Sequence, residues 1–452
     1  MKKGEVTAFL SLIFILLMSM IAAVVESASI QVMKNRRRGD MDRAIESVFA
    51  EYQREILEEM DIFSLDGTYG TGEFREENIK ERLVFYGIRD AGLQIEKIQF
   101  LTDESGRAFR EQVIAYMKHR VGVSQMEELA EMTGAWKEQT GKGEQYEQEE
   151  TDVGTRLEES LQEEEQTLPE KDNPIGIVAS LKKAGLLQIV MKEQDISNQE
   201  IDVRNMLSQR SLHKGKGSFK IRADTEGMSS NLYFASYLLE KFCGADAPHK
   251  EGKLAYELEY ILHGGNSDRE NLESVLRKLS SIRLAANYAY LLTDGEKKAE
   301  AGAMAAALAG IVALPALTEL LRQGILLAWS FGESVMDLRT LLAGERIPLV
   351  KTRADWQLTL SGLLKLGTKE DTGAAAARKE GLNYKEYLRM LLIFEDSDVC
   401  TMRSLDVLEM RMKARLGEWF RADCCISKLC MRAKCRFRRN VFYEFVTEYG
   451  YQ

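Results

Sequence analysis

The densest set of residues able to do chemistry lies near the carboxyl end. Cys424, Cys425, Cys430 and Cys435 fall within twelve positions. Four thiolates make a zinc site when they come as C-x2–4-C pairs on knuckle turns. The spacing here is C-C-x4-C-x4-C, which supplies no such pair. The flanking residues alternate apolar and polar, which predicts Cys424 and Cys435 on the inner face of adjacent strands, as core residues. A disulfide within the group stays open if the segment is exported. Cys243 and Cys400 have no sequence-level partner.

Glu257 and Glu259 are the next candidates. Two residues apart on a helix, they point to different sides and make a poor acid/base pair. His263 follows Glu259 by four residues and Glu257 by six, so one carboxylate beside its ring could tune it for general-base work. An ordinary surface contact is the plainer reading. His213 and His249 stand beside lysines in loops, and His119 ends a helix, where a positive charge complements the dipole. No H-E-x-x-H, G-x-S-x-G, P-loop or G-x-G-x-x-G motif occurs. Lys214-Gly215-Lys216-Gly217 lacks the P-loop Ser/Thr and reads as an exposed loop. Arg432–Arg439, with Phe437 among its bases, echoes a nucleic-acid platform but reads as a solvated strand face. The expectation is a non-enzymatic protein with no catalytic, cofactor-binding or metal-ligating residues, no cofactor, no nucleic-acid partner and no small-molecule substrate.

The elements that would carry these residues follow from composition and periodicity. The chain has 452 residues, 45% hydrophobic and 29% charged, with five prolines, 34 glycines and a net charge of −10. That is a globular mixture favouring long helices, and the charge disfavours a surface that coats nucleic acid. The expected fold class is mainly α with minor β (α+β): a long N-terminal membrane helix continuing into a soluble helix, a helical bundle body and a small C-terminal antiparallel meander.

Val6–Val25 is twenty residues without a charge. Such a helix is roughly 30 Å long, the thickness of bilayer hydrocarbon. It exceeds the about 7–15 residues of a signal peptide's apolar region, so a retained anchor is expected, with membrane lipid as its partner through residues 6–25; the alternative is a signal peptide cleaved at the small residues Ser27 and Ser29. Lys34, Arg36, Arg37 and Arg38 follow it, a cluster that could bind anionic lipid headgroups or nucleic acid but whose plainer reading is a solvated face just outside the membrane. Flank charges do not favour export of the bulk. Met41, Ile45, Val48, Tyr52, Ile56 and Met60 then recur at helical steps.

Lys3-Gly4 before the apolar run, Glu26-Ser27-Ala28 after it, and the stretch from Glu51-Tyr52 to Asp61-Ile62-Phe63 resemble a family of Gram-positive bacterial proteins. The resemblance continues through Tyr256–Leu262 with Gly264, Ser267-Asp268, Asn271-Leu272, Trp329, Glu333-Ser334, Asp337, Lys351-Thr352, Tyr384 and Tyr387-Leu388. That family is of unknown function and is often encoded with tight-adherence (Tad/Flp) pilus genes. The resemblance implies a single-pass cell-membrane protein with its bulk extracytoplasmic. Its implied role is structural or assembly-related, with pilus or secretion assembly proteins as partners. Tad pseudopilins carry a glutamate early in their apolar helix where this chain has Phe9, so processing as a pilus subunit is not implied. The alternatives are an anchored hydrolase and a ligand-binding sensor.

Five segments are expected: the anchor (1–25), a membrane-proximal α+β segment (26–135), an acidic disordered linker (136–173), a helical body (174–416) and a β-meander (417–452). Leu93–Phe100 predicts a strand with a bulge where its alternation breaks. Gly143–Glu170 holds eleven acids against Arg156, too little apolar surface to offset ordering entropy. Ser218–Arg222 reads as an edge strand. Ser267 and Glu270 form a capping box. Ala301–Thr318 is uncharged, but it is rich in alanine and interrupted by Pro315, which places it in a bundle core rather than a bilayer.

Overall fold

The computed structural model describes residues 3–191, 195–220, 225–249, 252–371, 373, 380–437 and 441–451. These form two compact units. One joins residues 1–112, 211–223 and 412–452; the other joins 113–210 and 224–411. The membrane-proximal segment and the carboxyl-terminal β segment thus share a unit, because strand pairing brings together residues more than 300 apart.

The first unit begins with α1 (Lys3–Phe49), 47 residues without a proline. Every residue from Gly4 to Val25 is exposed, whereas Met41, Ala44, Ile45, Val48 and Phe49 are buried. The predicted stripe therefore starts as expected, but it does not run on in one helix. The chain breaks at residues 50–53, leaves Tyr52 exposed, and resumes in α2 (Arg54–Met60), which buries Ile56 and Met60. Asp61, in the left-handed region at φ 53°, closes α2 with its N–H on the Leu57 carbonyl.

A four-stranded antiparallel sheet packs on α1. It comprises β1 (Leu65–Asp66), β2 (Ala91–Phe100), which follows α3 (Glu76–Phe85), and then β3 (Cys425–Arg436) and β4 (Phe442–Gly450). β3 is central: it pairs with β2 along one edge and with β1 and β4 along the other. Ile95, Ile98, Phe100, Leu429, Met431, Ala433 and Phe445 meet the apolar face of α1 in one core. The bulge predicted in β2 is present, with register shifts at Ile95/Lys97 and Gln99/Phe100. The expected three-segment meander is corrected in detail. Its first two segments are the single strand β3, preceded by a 3-10 turn at Ala422–Cys424, and β3 draws a partner from residues 91–100. The expected edge strand at 218–222 reduces to one bridge, Lys216 to Ile98; residues 221 and 222 lie outside the described residues.

The second unit is helical. α4 (Asp103–Arg120) contributes to both units. α5 (Val123–Glu163), α6 (Pro174–Ala184), α7 (Leu186–Val190), α8 (Met228–Lys241) and α9 (Glu257–His263) follow. α10 (Asp268–Thr293), α11 (Gly295–Ile311), α12 (Thr318–Leu342), α13 (Leu360–Leu363), α14 (Tyr384–Phe394) and α15 (Ser397–Leu416) complete it, the last also shared. Ser267 Oγ accepts the Glu270 N–H at 3.2 Å, but the Glu270 carboxylate reaches the Asn266 N–H instead of closing the box on Ser267. Ala301, Ala305, Leu308 and Ala309 of α11 are buried beside α12, as the bundle reading expects. Among the described residues, α1 alone is long and apolar enough to cross a membrane.

The acidic stretch departs most from expectation. Residues 136–163 are helix within α5, packed on α10 and α12. Trp136, Gly143, Val153, Leu157 and Leu161 are buried, with Tyr146 half-buried between them. A helical stripe is enough to dock one face while the carboxylates stay in water. At Gly143 the helices approach so closely that a Cβ would lie 2.8 Å from Ser281 Oγ. Leu157→Ala is therefore expected to lower stability by about 2–5 kcal/mol, the cost of emptying a core site. Urea unfolding of the full chain checks this; a solvated linker would give no change.

Candidate functional site

The helical unit is organised around buried charge. Arg283 (α10), Glu333 and Asp337 (α12) and Lys351 in the loop beyond have no exposed side-chain surface. Lys351 Nζ bridges Glu333 Oε1 at 2.7 Å and the Asp337 carboxylate. Arg283 Nε donates to Asp337 Oδ2 at 3.0 Å, and its Nη1 donates to the Pro348 and Leu349 carbonyls and to Tyr387 Oη. Glu333 accepts the Gln357 and Leu358 N–H groups at 2.9 and 2.7 Å, and Trp329 Nε1 donates to the Leu358 carbonyl. Burial raises the Glu333 pKa against the pull of Lys351. Burial also pushes Asp337 upward, but Lys351 and Arg283 override it and hold it below the usual carboxylate range. Two bases and two acids thus fasten the loop after α12 to the bundle. Closed to solvent on every side, the cluster fixes structure and offers no approach to a substrate.

The YELEY run forms a second network. Glu257 pairs with Arg411 and accepts the Cys243 N–H at 3.0 Å. Glu259 accepts Tyr384 Oη–H at 2.7 Å and the Ala245 N–H at 2.9 Å, both on Oε1. Burial pushes Glu259 up to about 7, against those two hydrogen bonds. Tyr260 Oη donates to Asp406 Oδ2, which Ser208 also contacts; burial lifts Asp406 to about 6. Asp268 accepts the Ala255 and Tyr256 N–H groups and Ser197 Oγ–H. Glu257 and Glu259 do diverge as expected, but inward, and neither meets His263. That ring lies 3.8 Å from Glu270 instead.

The remaining candidates resolve separately. None of the six cysteines is in a disulfide. Cys424 sits in the 3-10 turn and Cys425, Cys430 and Cys435 share β3, so the expected placement of Cys424 and Cys435 on adjacent strands is corrected. Burial pushes the Cys243 and Cys400 thiols up to about 12 and raises those of Cys430 and Cys435, which disfavours the thiolate a nucleophile needs. Among the described residues no three His, Cys, Asp or Glu side chains converge as a metal set. His213 donates its N–H to Asp423 and stacks against Phe74 and Phe100. His119 lies in the last turn of α4, as expected.

Lys214–Gly217 is not a free loop. The Gly215 N–H donates to Asp103, Lys216 pairs with Ile98, and Lys216 Nζ meets Glu76 at 2.5 Å. A Cβ on Gly215 would lie 2.1 Å from the Ile98 carbonyl oxygen, so strand approach, not phosphate, explains the glycine. Arg432 is tied across strands to Glu96 and Glu444; Arg438 and Arg439 lie outside the described residues.

One groove in the helical unit has ligand dimensions, about 1210 Å³. It runs beside α5 over a floor of Ile282, Phe331, Leu391 and Phe394, with Glu144 and Arg277 among its rim residues. No histidine, no cysteine and none of the buried carboxylates above lines it. Sequence reading missed the groove because it depends on the docking of α5.

Residues 164–437 match the family of unknown function DUF5702, and the chain belongs to that family. The matched span holds both buried networks. No curated protein and no solved structure matches the chain.

Two outcomes follow. Lys351→Met leaves Glu333 without its cation and Asp337 with Arg283 alone, and is expected to cost about 3–5 kcal/mol in thermal unfolding. Glu259 titrates near 4.5 when unfolded and about 7 when folded. The folded chain holds that proton more tightly, so the group's stabilisation is full below about pH 4.5 and lost as pH rises through 7. Glu259→Gln, neutral throughout, is expected to be more stable than the parent at pH 8 by on the order of 2–3 kcal/mol. Melting curves across pH check the sign.

Proposed function

We propose that this chain is a single-pass, membrane-anchored envelope protein with a non-enzymatic structural or assembly role, its bulk extracytoplasmic, serving a tight-adherence pilus or related secretion apparatus. The observation that carries the anchor is the exposure of α1. A helix that is apolar all round needs cover on all sides, from protein or from lipid. Phe9, Ile15 and Val25 are 64%, 67% and 61% exposed, while Met41 to Phe49 of the same helix are in the core. Residues 6–25 include twelve Leu, Ile, Phe and Val side chains, each worth about −0.3 to −0.6 kcal/mol at a bilayer centre, so insertion gains roughly 4–7 kcal/mol.

The non-enzymatic reading is supported by separation. The carboxylates of the two buried networks, Glu259, Glu333, Asp337 and Asp406, are sealed in the bundle and do not line the groove, whereas a hydrolase needs pocket and perturbed groups together. The groove itself favours a ligand-binding sensor as second reading. The exported orientation and the pilus setting draw on the family resemblance; the flank charges do not support that orientation.

Full-length chain is expected in the carbonate-resistant membrane fraction, and Leu12→Arg with Leu16→Arg is expected to release it. Protease added to intact protoplasts is expected to destroy a carboxyl-terminal epitope; a protected epitope would place the body inside. Co-purification with pilus-assembly proteins tests the role.

A further inference from the structure

The end of the sheet unit nearest the apolar run is strongly basic. β4 runs alongside α1 in the same direction. Lys34 Nζ lies 5.1 Å from the Tyr443 ring, Arg38 lies 5.8 Å from the Tyr443 and Phe445 rings, Thr447 bonds Asp42, and Phe49 meets Tyr449 at 4.9 Å. The cluster after the apolar run is therefore only partly the solvated face expected of it, since two of its members cover aromatic rings. The same register fixes height. Lys34 is nine residues beyond Val25, about 13 Å along the helix. Phe442 is one strand residue nearer, so it stands about 10 Å beyond the hydrocarbon edge. The headgroup layer is roughly 5–8 Å thick on each side, within reach of lysine and arginine side chains at that height.

The residues at that height suit a headgroup layer. Phe442 is 59% exposed, with Lys434 at 5.7 Å and Arg436 at 5.9 Å from its ring. Arg37 donates to the Arg89 carbonyl, which brings the start of β2 to the same end. Within residues 31–38, 89–92, 434–437 and 441–444 there are seven bases against two acids, Asp90 and Glu444, and Glu444 is paired with Arg432. Nothing in the sheet's packing requires an exposed phenylalanine bracketed by cations. A bilayer interface accepts both, rings at headgroup depth and bases against anionic phosphate.

We propose that this β3–β4 end of the sheet unit is a second membrane contact, which binds anionic lipid headgroups and holds the unit against the bilayer that α1 enters. The contact rests on the reading of α1 as the anchor. It gives the basic cluster a use that neither the anchor nor the helical unit supplies. Each base near an anionic surface adds roughly fivefold to binding.

The test uses the full chain in vesicles of phosphatidylcholine alone and of phosphatidylcholine with phosphatidylglycerol, read by amide hydrogen exchange. Peptides covering residues 431–437 and 441–446 are expected to exchange at least about fivefold more slowly on the anionic vesicles. The difference is expected to vanish at 1 M salt, where the Debye length is about 3 Å. It is also expected to vanish in Lys434→Glu/Arg436→Glu, with the chain still carbonate-resistant. Equal exchange on both vesicles by an inserted chain overturns the contact and spares the anchor. Release by carbonate overturns both. Protection by an added RNA duplex on phosphatidylcholine, without a phosphatidylglycerol effect, would overturn the lipid assignment in favour of nucleic acid.

Discussion

One helix carries two surface patterns. α1 is continuous over 47 residues, about 70 Å, and contains no proline. Its first half is apolar on every side, and its last turns are apolar on one. The first pattern suits lipid and the second suits a half-buried docking face. Because no break separates them, the position of the sheet along α1 is a fixed distance from the apolar run. That rigidity is what gives height above a membrane a meaning for the residues of β2, β3 and β4. A flexible linker in place of residues 26–40 would erase it.

The helical unit meets a different demand, which is how to hold long irregular connections in a bundle. It uses buried charge. Glu333 captures two backbone amides of the loop after α12, Arg283 captures two carbonyls, and Lys351 neutralises the acid between them. Replacing such groups with apolar ones of equal shape is often harmless, while removing one member is severe. The network therefore specifies one loop path more than it adds stability. Glu259 shows the complementary solution, an acid whose pKa burial raises to about 7, with Tyr384 and Ala245 sharing one oxygen.

Local signals were legible in the sequence. The apolar run, the bulge in β2, the Ser267 cap and the core placement of Ala301–Ala309 follow from spacing alone. Interactions between distant positions were not. Tyr384 and Glu259 are 125 residues apart, and Arg411 and Glu257 are 154 apart, so their carboxylates looked like helix surface. Gly215 resembled a loop glycine because the strand that crowds it lies 117 residues earlier. The acidic segment misled for a quantitative reason. Its net charge is that of a disordered chain, yet a few apolar side chains at helical steps suffice when a bundle already offers the opposite face. The β-meander was half legible, since alternation reveals a strand but not its neighbour.

The chain order also constrains how the sheet unit forms. β3 is its central strand, yet β3 comes more than 320 residues after β2. Synthesis runs from the amino end, and domains fold as they emerge. The apolar stripe of α1 and both edges of β2 therefore wait, unpaired, while the whole helical unit is made and folded. Exposed strand edges are aggregation sites unless charge or cover protects them. β2 carries Glu96 and Lys97 at its bulge, where register is irregular, which makes it a poor template for a wrong partner. The residues that pin its final register, Glu96 to Arg432 and the Ile98 bridge to Lys216, both need segments made later. Closing the sheet thus needs the last-made strands, and it locks the sheet core onto the helix that carries the apolar run.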